Sequence, residues 1–256
     1  MTPRLSAVVI TRNESVRIDD CLRSARLIAD EIVVVDSGSS DDTVVRARKL
    51  ADKVLARPFD DYASQKNFAV AQASGDWILS LDADERVTPA LAAEIRAVIE
   101  RGGALADVYR IRRRSKIFGR VFRFTGTQDD RPARLFRRGC ARFEGIIHET
   151  LRTEGATADL RRVLTHDTYA DTKDYMTRLN RYTSMEAERF VAERRTPVRG
   201  GLCLRPPAMF LKLYLYKLGF LDGLEGFTFS YLSAYYVFLK HAKHRWLLAG
   251  KGRDGS

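Results

Sequence analysis

Cysteine is scarce: Cys21, Cys140 and Cys203 are the only three in 256 residues, far apart and with no C-x-x-C or other metal-ligand spacing. That usage suits a reducing compartment and argues against a structural zinc. Glycine-rich phosphate loops are missing as well. Thr11-Arg12-Asn13-Glu14, after the first apolar run, holds no glycine, which excludes the G-x-G-x-x-G dinucleotide turn, and neither G-x-x-x-x-G-K-[ST] nor G-x-S-x-G occurs. His148-Glu149 is followed by Arg152 where a zinc protease would carry the second histidine of H-E-x-x-H. In the aromatic C-terminal segment the longest uncharged stretch, 226–239, has 14 residues, short of the roughly 18–20 needed to span a bilayer. The N-terminus lacks a basic region followed by a long apolar run, so no secretory signal is expected. Repeats and low-complexity segments are absent.

What is present is a folded-type composition, 45% hydrophobic and 30% charged, in a chain long enough for one large domain or one domain with an appendage. The net charge of +11 is unevenly spread: residues 1–100 carry 13 Lys and Arg against 17 Asp and Glu, and residues 101–256 carry 31 against 16. The second part should meet something anionic, and nucleic acid, an anionic membrane surface and a phosphorylated acceptor all fit.

Leu5–Ile10, Ile32–Val35, Val54–Ala56 and Trp77–Leu81 are short apolar runs separated by helical patterns, one of which places Ile18, Cys21, Leu22, Ala25, Ile28 and Ala29 on one face. That alternation predicts an α/β fold with a parallel sheet. Each strand's carboxyl end delivers polar residues, Thr11, Asn13 and Glu14, then Asp36, then Asp82 and Asp84, and these should line one crevice. Asp82 and Asp84, two residues apart at a strand end, would project the same way and could share a Mg²⁺ or Mn²⁺ carrying a diphosphate. The competing reading is a solvated turn.

After a helix from Pro89 to Arg101 the pattern changes. Val108–Arg112, Val121–Phe124 and Ala133–Arg137 alternate apolar with basic residues, as half-exposed antiparallel strands do. A long amphipathic helix is expected from Thr172 to about Arg195. The segment Pro206–Trp246, rich in Phe, Tyr and Leu with flanking Lys and Arg, suits helices in a membrane interface, or packing on the core or on a second subunit.

Taken together, Val9–Glu14, Val34–Thr43, Gln65-Lys66-Asn67 and Leu81–Glu85 resemble the nucleotide-sugar site of family 2 inverting glycosyltransferases with the GT-A fold. Within that family the chain is most similar to the lipopolysaccharide core β-glucosyltransferases, through Arg134-Leu135-Phe136, Ile147-His148-Glu149, Tyr182-Thr183 with Glu186-Ala187-Glu188, and Gly219–Gly223. The resemblance covers about residues 5–245. It implies a mostly parallel central sheet flanked by helices, with a GT-A catalytic domain over 1–170 (a nucleotide-sugar half, 1–100, and an acceptor half, 101–170) and a helical, aromatic-rich extension over 171–256.

It also implies roles. Thr11, Asn13, Glu14 and Asp36 would hold the nucleoside, Lys66 a phosphate, Asp82 the ribose or metal, and Asp84 the metal, with His148 touching metal or diphosphate. Glu149 would be the base, with Asp129 and Asp130 as runners-up. For Asp36 a turn-forming role competes, for Lys66 a solvated helix position, for Glu149 a surface salt bridge and for His148 simple packing. Arg112, Arg113, Arg114, Arg131, Arg134, Arg137 and Arg138 are possible acceptor contacts. The expected activity is metal-dependent transfer of a hexose, glucose from UDP-glucose, to the lipopolysaccharide inner core by a cytoplasmic protein peripheral to the inner face of the membrane, with a homodimer open. The rivals are another envelope acceptor such as a polyprenyl phosphate, a non-catalytic membrane scaffold, and a basic nucleic-acid-binding protein, for which no motif is present.

Overall fold

Runs of β-branched and aliphatic residues bounded by turn formers make strands that can be covered on both sides, and the computed structural model shows that arrangement in the first hundred residues. The structure describes residues 3–102, 106–127, 130–145, 149–169, 172–198 and 200–251. Strands β1 (Leu5–Thr11), β2 (Glu31–Asp36), β3 (Lys53–Ala56) and β4 (Trp77–Asp82) are parallel, in the order β3-β2-β1-β4. Strand alternation divides their side chains between two cores. Leu5, Ala7, Val9, Ile32, Val34, Trp77, Leu79 and Leu81 enter one, and Val8, Val33, Val35 and Ile78 the other. Helices α1 (Ile18–Ala25) and α4 (Pro89–Glu100) cover the first core, the short α2 (Thr43–Ala47) adds Ala47 to it, and α3 (Tyr62–Ala71) covers the second with Ala63 and Ala69.

The helix starts are written in the sequence. Asp61 accepts from Ser64 N at 2.7 Å to cap α3, and Thr88, just before Pro89, accepts from Leu91 N at 3.2 Å to cap α4. Each cap contributes about 1 kcal/mol.

The arginine-studded strands extend this sheet in the antiparallel sense. β8 (Ala133–Arg137) lies antiparallel on β4, followed by β6 (Val108–Ile117), β11 (Thr157–Tyr169) and β5 (Glu85–Val87). The sheet is therefore mixed, its parallel half being the one the strand–helix alternation predicts. β9 (Ala141–Glu144) and β10 (Thr150–Thr153) form a separate antiparallel pair.

The chain divides into two compact units, Met1–Arg114 with Asp129–His166, and Ser115–Gln128 with Asp167–Ser256. In the second, the end of β6 turns back at Phe118 and Gly119, both at positive φ, to pair with β7 (Arg120–Val121). The strand expected over Val121–Phe124 stops at Val121. The Asp222 carboxylate takes the backbone N–H of Arg123 and of Phe124, each at 3.0 Å, and the Thr125 hydroxyl at 2.7 Å, so a side chain has captured the donors a ladder would use. Helix α5 (Thr172–Ala192) buries Tyr175, Leu179, Ala187 and Phe190. Then come α6 (Arg205–Leu211), a π-helical turn (Lys212–Tyr216), a 3₁₀ turn (Gly219–Asp222) and α7 (Gly223–Lys251). Gly226 has no alternative, since a Cβ there would lie 2.0 Å from the Gly219 carbonyl oxygen. Among the described residues no helix is long and apolar enough to cross a membrane.

Candidate active site

Register brings the polar strand ends together. Thr11 of β1 stands opposite Asp36 of β2, and its neighbour Ile10 stands opposite Asp82 of β4. Asp36 is buried, and its carboxylate accepts from Gly38 N at 2.9 Å, Ser39 N at 2.8 Å and Ser39 Oγ at 2.5 Å. The turn-forming role is therefore present, made possible by Gly38 at φ +81°. A carboxylate offers about four lone-pair sites, so these three bonds leave capacity for another donor. Asn13, at φ +56°, clasps the same turn: its N–H donates to Ser39 Oγ and its Oδ1 accepts from Ser40 N, both at 2.8 Å. Glu14 N donates to Thr43 Oγ1 at 2.8 Å, and the Glu14 side chain meets Arg17 at 3.0 Å. Thr11 Oγ1 is buried with no hydrogen-bond partner among the described residues, an orphan that a bound polar ligand would satisfy.

Three successive residues of α3 tie it to different segments of the chain. Gln65 Nε2 donates to Ser37 Oγ at 2.8 Å and to Arg57 O at 3.0 Å. Asn67 exchanges two 2.9 Å bonds with the backbone of Phe143 in β9. Between them Lys66, only 2% exposed, donates to Asp82 Oδ1 at 2.8 Å and to Glu149 Oε1 at 2.6 Å, and lies over the Phe143 ring. The clamp by Asn67 fixes the β9–β10 hairpin, and Glu149 precedes β10, so the carboxylate is brought to Lys66 from 83 residues away.

Asp82 Oδ2 is taken by Arg134 of β8, which also donates to Glu85 Oε1 at 2.6 Å. Glu85 is fully buried. Its Oε1 also meets Arg113 Nη1 at 3.2 Å, and its Oε2 accepts from Asp82 N at 3.0 Å. Arg113 grips Asp130 Oδ2 through Nε at 2.7 Å and Nη2 at 2.5 Å. Burial pushes the Asp82 carboxyl up, but Arg134 and then Lys66 outweigh it and hold it well below the usual carboxylate range. For Arg134, burial disfavours the charge and is overcome by Asp82 and then Glu85, which raise its pKa. Cys21 points at the Asp82 carbonyl at 3.5 Å, and burial followed by Glu85 pushes its thiol up, which makes it a packing group rather than a nucleophile.

The alternation argument for Asp82 and Asp84 ends with the strand. β4 stops at Asp82, Ala83 and Asp84 form a turn, and β5 begins at Glu85. The two aspartates consequently meet different partners. Asp84 Oδ1 lies 3.5 Å from His166 Nε2, both groups being buried, because β11 pairs His166 directly opposite Glu85. Sequence spacing gave no hint of His166, which sits 82 positions downstream. Among the described residues no three His, Cys, Asp or Glu side chains cluster as a metal cage. The Asp84 carboxylate, with the His166 imidazole beside it, offers the kind of oxygen ligand that suits a divalent ion taking its other ligands from phosphate and water. The residues fit Mg²⁺ or Mn²⁺.

Thr11, Asp36, Lys66, Asp82 and Glu149 thus stand with Asp84 about the carboxyl ends of the parallel strands, with Asp130 joined through Arg113. His148 and Asp129 lie outside the described residues. The arginines offered as acceptor contacts are mostly engaged within the fold. Arg113 and Arg134 belong to the charged cluster, Arg131 pairs with Asp159 at 3.2 Å, Arg137 stacks on Trp77, and Arg138 donates to Gly75 O at 2.8 Å. Arg112 and Arg114 are exposed on the opposite side of β6 from Arg113.

A family model described as "Glycosyl transferase family 2" matches residues 6–153. The lipopolysaccharide core biosynthesis glycosyltransferase LpsC of Rhizobium meliloti (strain 1021) is 31% identical over 253 residues, covering 95% of this chain and 93% of its own. An uncharacterized glycosyltransferase of Rickettsia conorii (strain ATCC VR-613 / Malish 7) is 29% identical over 260 residues, covering 96% and 91%. Among solved structures, S. aureus TarS (residues 1–349) is 14% identical with a TM-score of 0.48, over 96% of this chain and 92% of that one.

Proposed function

This chain belongs to glycosyl transferase family 2, and from that premise we propose that it moves glucose from UDP-glucose to a hydroxyl of the lipopolysaccharide inner core, at the inner face of the cytoplasmic membrane. The observation that carries the reading is Lys66, buried between Asp82 at 2.8 Å and Glu149 at 2.6 Å. It joins the donor-side strand end to a carboxylate delivered by a separate hairpin, as a reaction between two substrates requires. The name of the R. meliloti relative supports the core acceptor.

In this reading Asp36 and Thr11 take polar atoms of the uridine, with Asn13 and Glu14 shaping the loop that closes over it. Lys66 turns toward the diphosphate as a point charge. Asp84 and His166 would hold Mg²⁺ or Mn²⁺, which when bound would supply positive charge against the leaving diphosphate. Asp82, one of its oxygens held by Arg134, faces the ribose rather than the cation. The acceptor oxygen attacks the anomeric carbon, the bond to the diphosphate oxygen breaks on the opposite side, and the hydroxyl proton passes to Glu149. Asp130 is disfavoured as base because Arg113 already grips it through two nitrogens.

The test is nucleotide release from UDP-, GDP- and ADP-sugars, with core acceptor, in Mn²⁺, Mg²⁺ or EDTA. UDP-glucose is expected to give metal-dependent release that Asp84→Ala abolishes. Glu149→Gln should lower turnover about a thousandfold, within the range general-base removal gives, while still binding donor. Full turnover in Glu149→Gln would move the base to Asp129 or Asp130. Absence of metal-dependent nucleotide binding with every donor would sink the transfer reading.

A further inference from the structure

Leu224, Phe227, Tyr231, Tyr235 and Phe238 follow one another on α7 at steps of three or four residues, a spacing that draws one stripe along a helix, and all five are exposed. A stripe of this kind ordinarily faces a core. Here it continues through the preceding turns. Phe220 meets Tyr214 with ring centroids 6.2 Å apart, Tyr214 meets Phe227 at 5.6 Å, and Phe227 stacks on Tyr231 at 6.4 Å. Leu215 and Tyr216, in the same π-helical turn as Tyr214, are exposed as well. Contiguous exposed apolar surface on this scale marks an interaction site.

Charge decides what covers it. Across 200–250 the acidic residues are Asp222 and Glu225 alone, against Arg205, Lys212, Lys217, Lys240, Lys243 and Arg245. Both acids are spent internally, Asp222 on the backbone of Arg123 and Phe124 and Glu225 on Arg120 at 2.8 Å; Lys240 is spent on Glu186 at 2.9 Å and Lys243 on Asn180, Thr183 and Ser184, so the exposed Arg205, Lys212 and Arg245 set the sign of the surface. A second copy would bring this basic surface against itself. An anionic bilayer meets it with the opposite charge, takes up the leucines and phenylalanines, leaves tyrosine rings at headgroup level and lets lysines reach back to phosphate.

We propose that the C-terminal unit lays the face built by Leu215, Tyr216, Phe220, Leu224, Phe227 and Tyr231 on a lipid bilayer with an anionic surface. The proposal leans on the transfer reading only for why a bilayer would be met. It is tested with the full chain and no donor, by flotation with vesicles of phosphatidylcholine alone or mixed with phosphatidylglycerol, beside the variant Tyr216→Ser/Leu224→Ser. Those side chains are 78% and 76% exposed, so the variant keeps its fold, which circular dichroism checks. A second pair, Leu215→Ser/Tyr231→Ser, probes the same face if the first misfolds.

Binding is expected to be about tenfold or more tighter to the anionic vesicles than to the neutral ones, to weaken with salt, and to fall about tenfold or more in either variant. No binding by the native chain, or equal binding by the variants, overturns the proposal. A native dimer that the variants convert to monomer, with no vesicle binding, overturns it in favour of a second copy. A chain that binds vesicles yet releases no nucleotide fails the transfer reading alone, and one that releases nucleotide while ignoring vesicles fails this proposal alone.

Discussion

The unit holding β1 to β4 and the unit holding α5 to α7 put opposite kinds of side chain in unusual places. In the first, Lys66, Glu85 and Arg134 are buried charges, each answered by an opposite charge within 3.3 Å. In the second, Leu224, Phe227 and Tyr231 are apolar groups left outside. Burying a charge costs several kcal/mol unless it is paired and hydrogen-bonded, and exposing a large apolar side chain forgoes roughly 1.5–3 kcal/mol. Neither cost serves stability, and each marks a surface or a cluster kept for another use. The chain's two tryptophans report on the units separately, Trp77 from the first and Trp246 from the second.

The sharpest way to break the contrast is Arg134→Met. It leaves Glu85 and one oxygen of Asp82 without their principal cation, and removing one partner of a buried pair costs about 3–5 kcal/mol. Urea unfolding followed at Trp77, in a chain with Trp246 replaced by Phe, is expected to show that loss. A cost below about 1 kcal/mol would mean that water or Arg113 already screens the cluster.

Gly226→Ala probes the other unit. The added Cβ meets the Gly219 carbonyl oxygen at 2.0 Å, and overpacking against backbone costs about 1–3 kcal/mol. The signal at Trp246 is expected to lose stability first while Trp77 keeps its midpoint. A common shift of both would show that the units unfold together.

The effect expected from Glu31→Gln is set apart by its dependence on pH. Glu31 bonds Ser6 Oγ at 2.5 Å, Ser74 N at 2.7 Å and Lys53 at 2.8 Å. Burial pushes its carboxyl up, but the bonds from Lys53, Ser6 and Ser74 prevail and hold it at about 2. A depressed folded pKa means the stabilisation is whole above the unfolded value near 4.3 and drains away as the pH falls toward about 2. The variant should therefore lose about 2 kcal/mol at pH 7 and almost nothing relative to the native chain near pH 2. An equal deficit at both pH values would assign the effect to packing.

What the sequence disclosed follows from locality. The four parallel strands and the helices between them are read from neighbours a few positions apart, and those readings hold as far as Asp82, where β4 ends and the alternation extended to Asp84 fails. The pairing of Lys66 with Glu149 was visible only as two marked residues, since the Asn67 clamp on Phe143 that brings them together is a contact between distant segments. Arg134 reads as a possible acceptor contact because alternation in a half-exposed strand does not say which face is covered. His166 carries no local mark at all, its place beside Asp84 being set by the register of β11 on β5. The Val121–Phe124 run reads as strand by composition and is turned aside by Asp222, about a hundred residues later.

That late carboxylate has a consequence for how the chain is made. The 122–127 segment leaves the ribosome well before the residue that will hold it, with Arg123 and Asp222 separated by 99 positions. At synthesis rates of about 5–20 residues per second, the segment waits on the order of 5–20 s with its N–H groups on water. The strands on either side of it, β6 and β8, are already translated and free to pair during that interval. The loop passed early is then fastened only late in synthesis, so a chain cut short before Asp222 lacks the anchor for a stretch in its own middle.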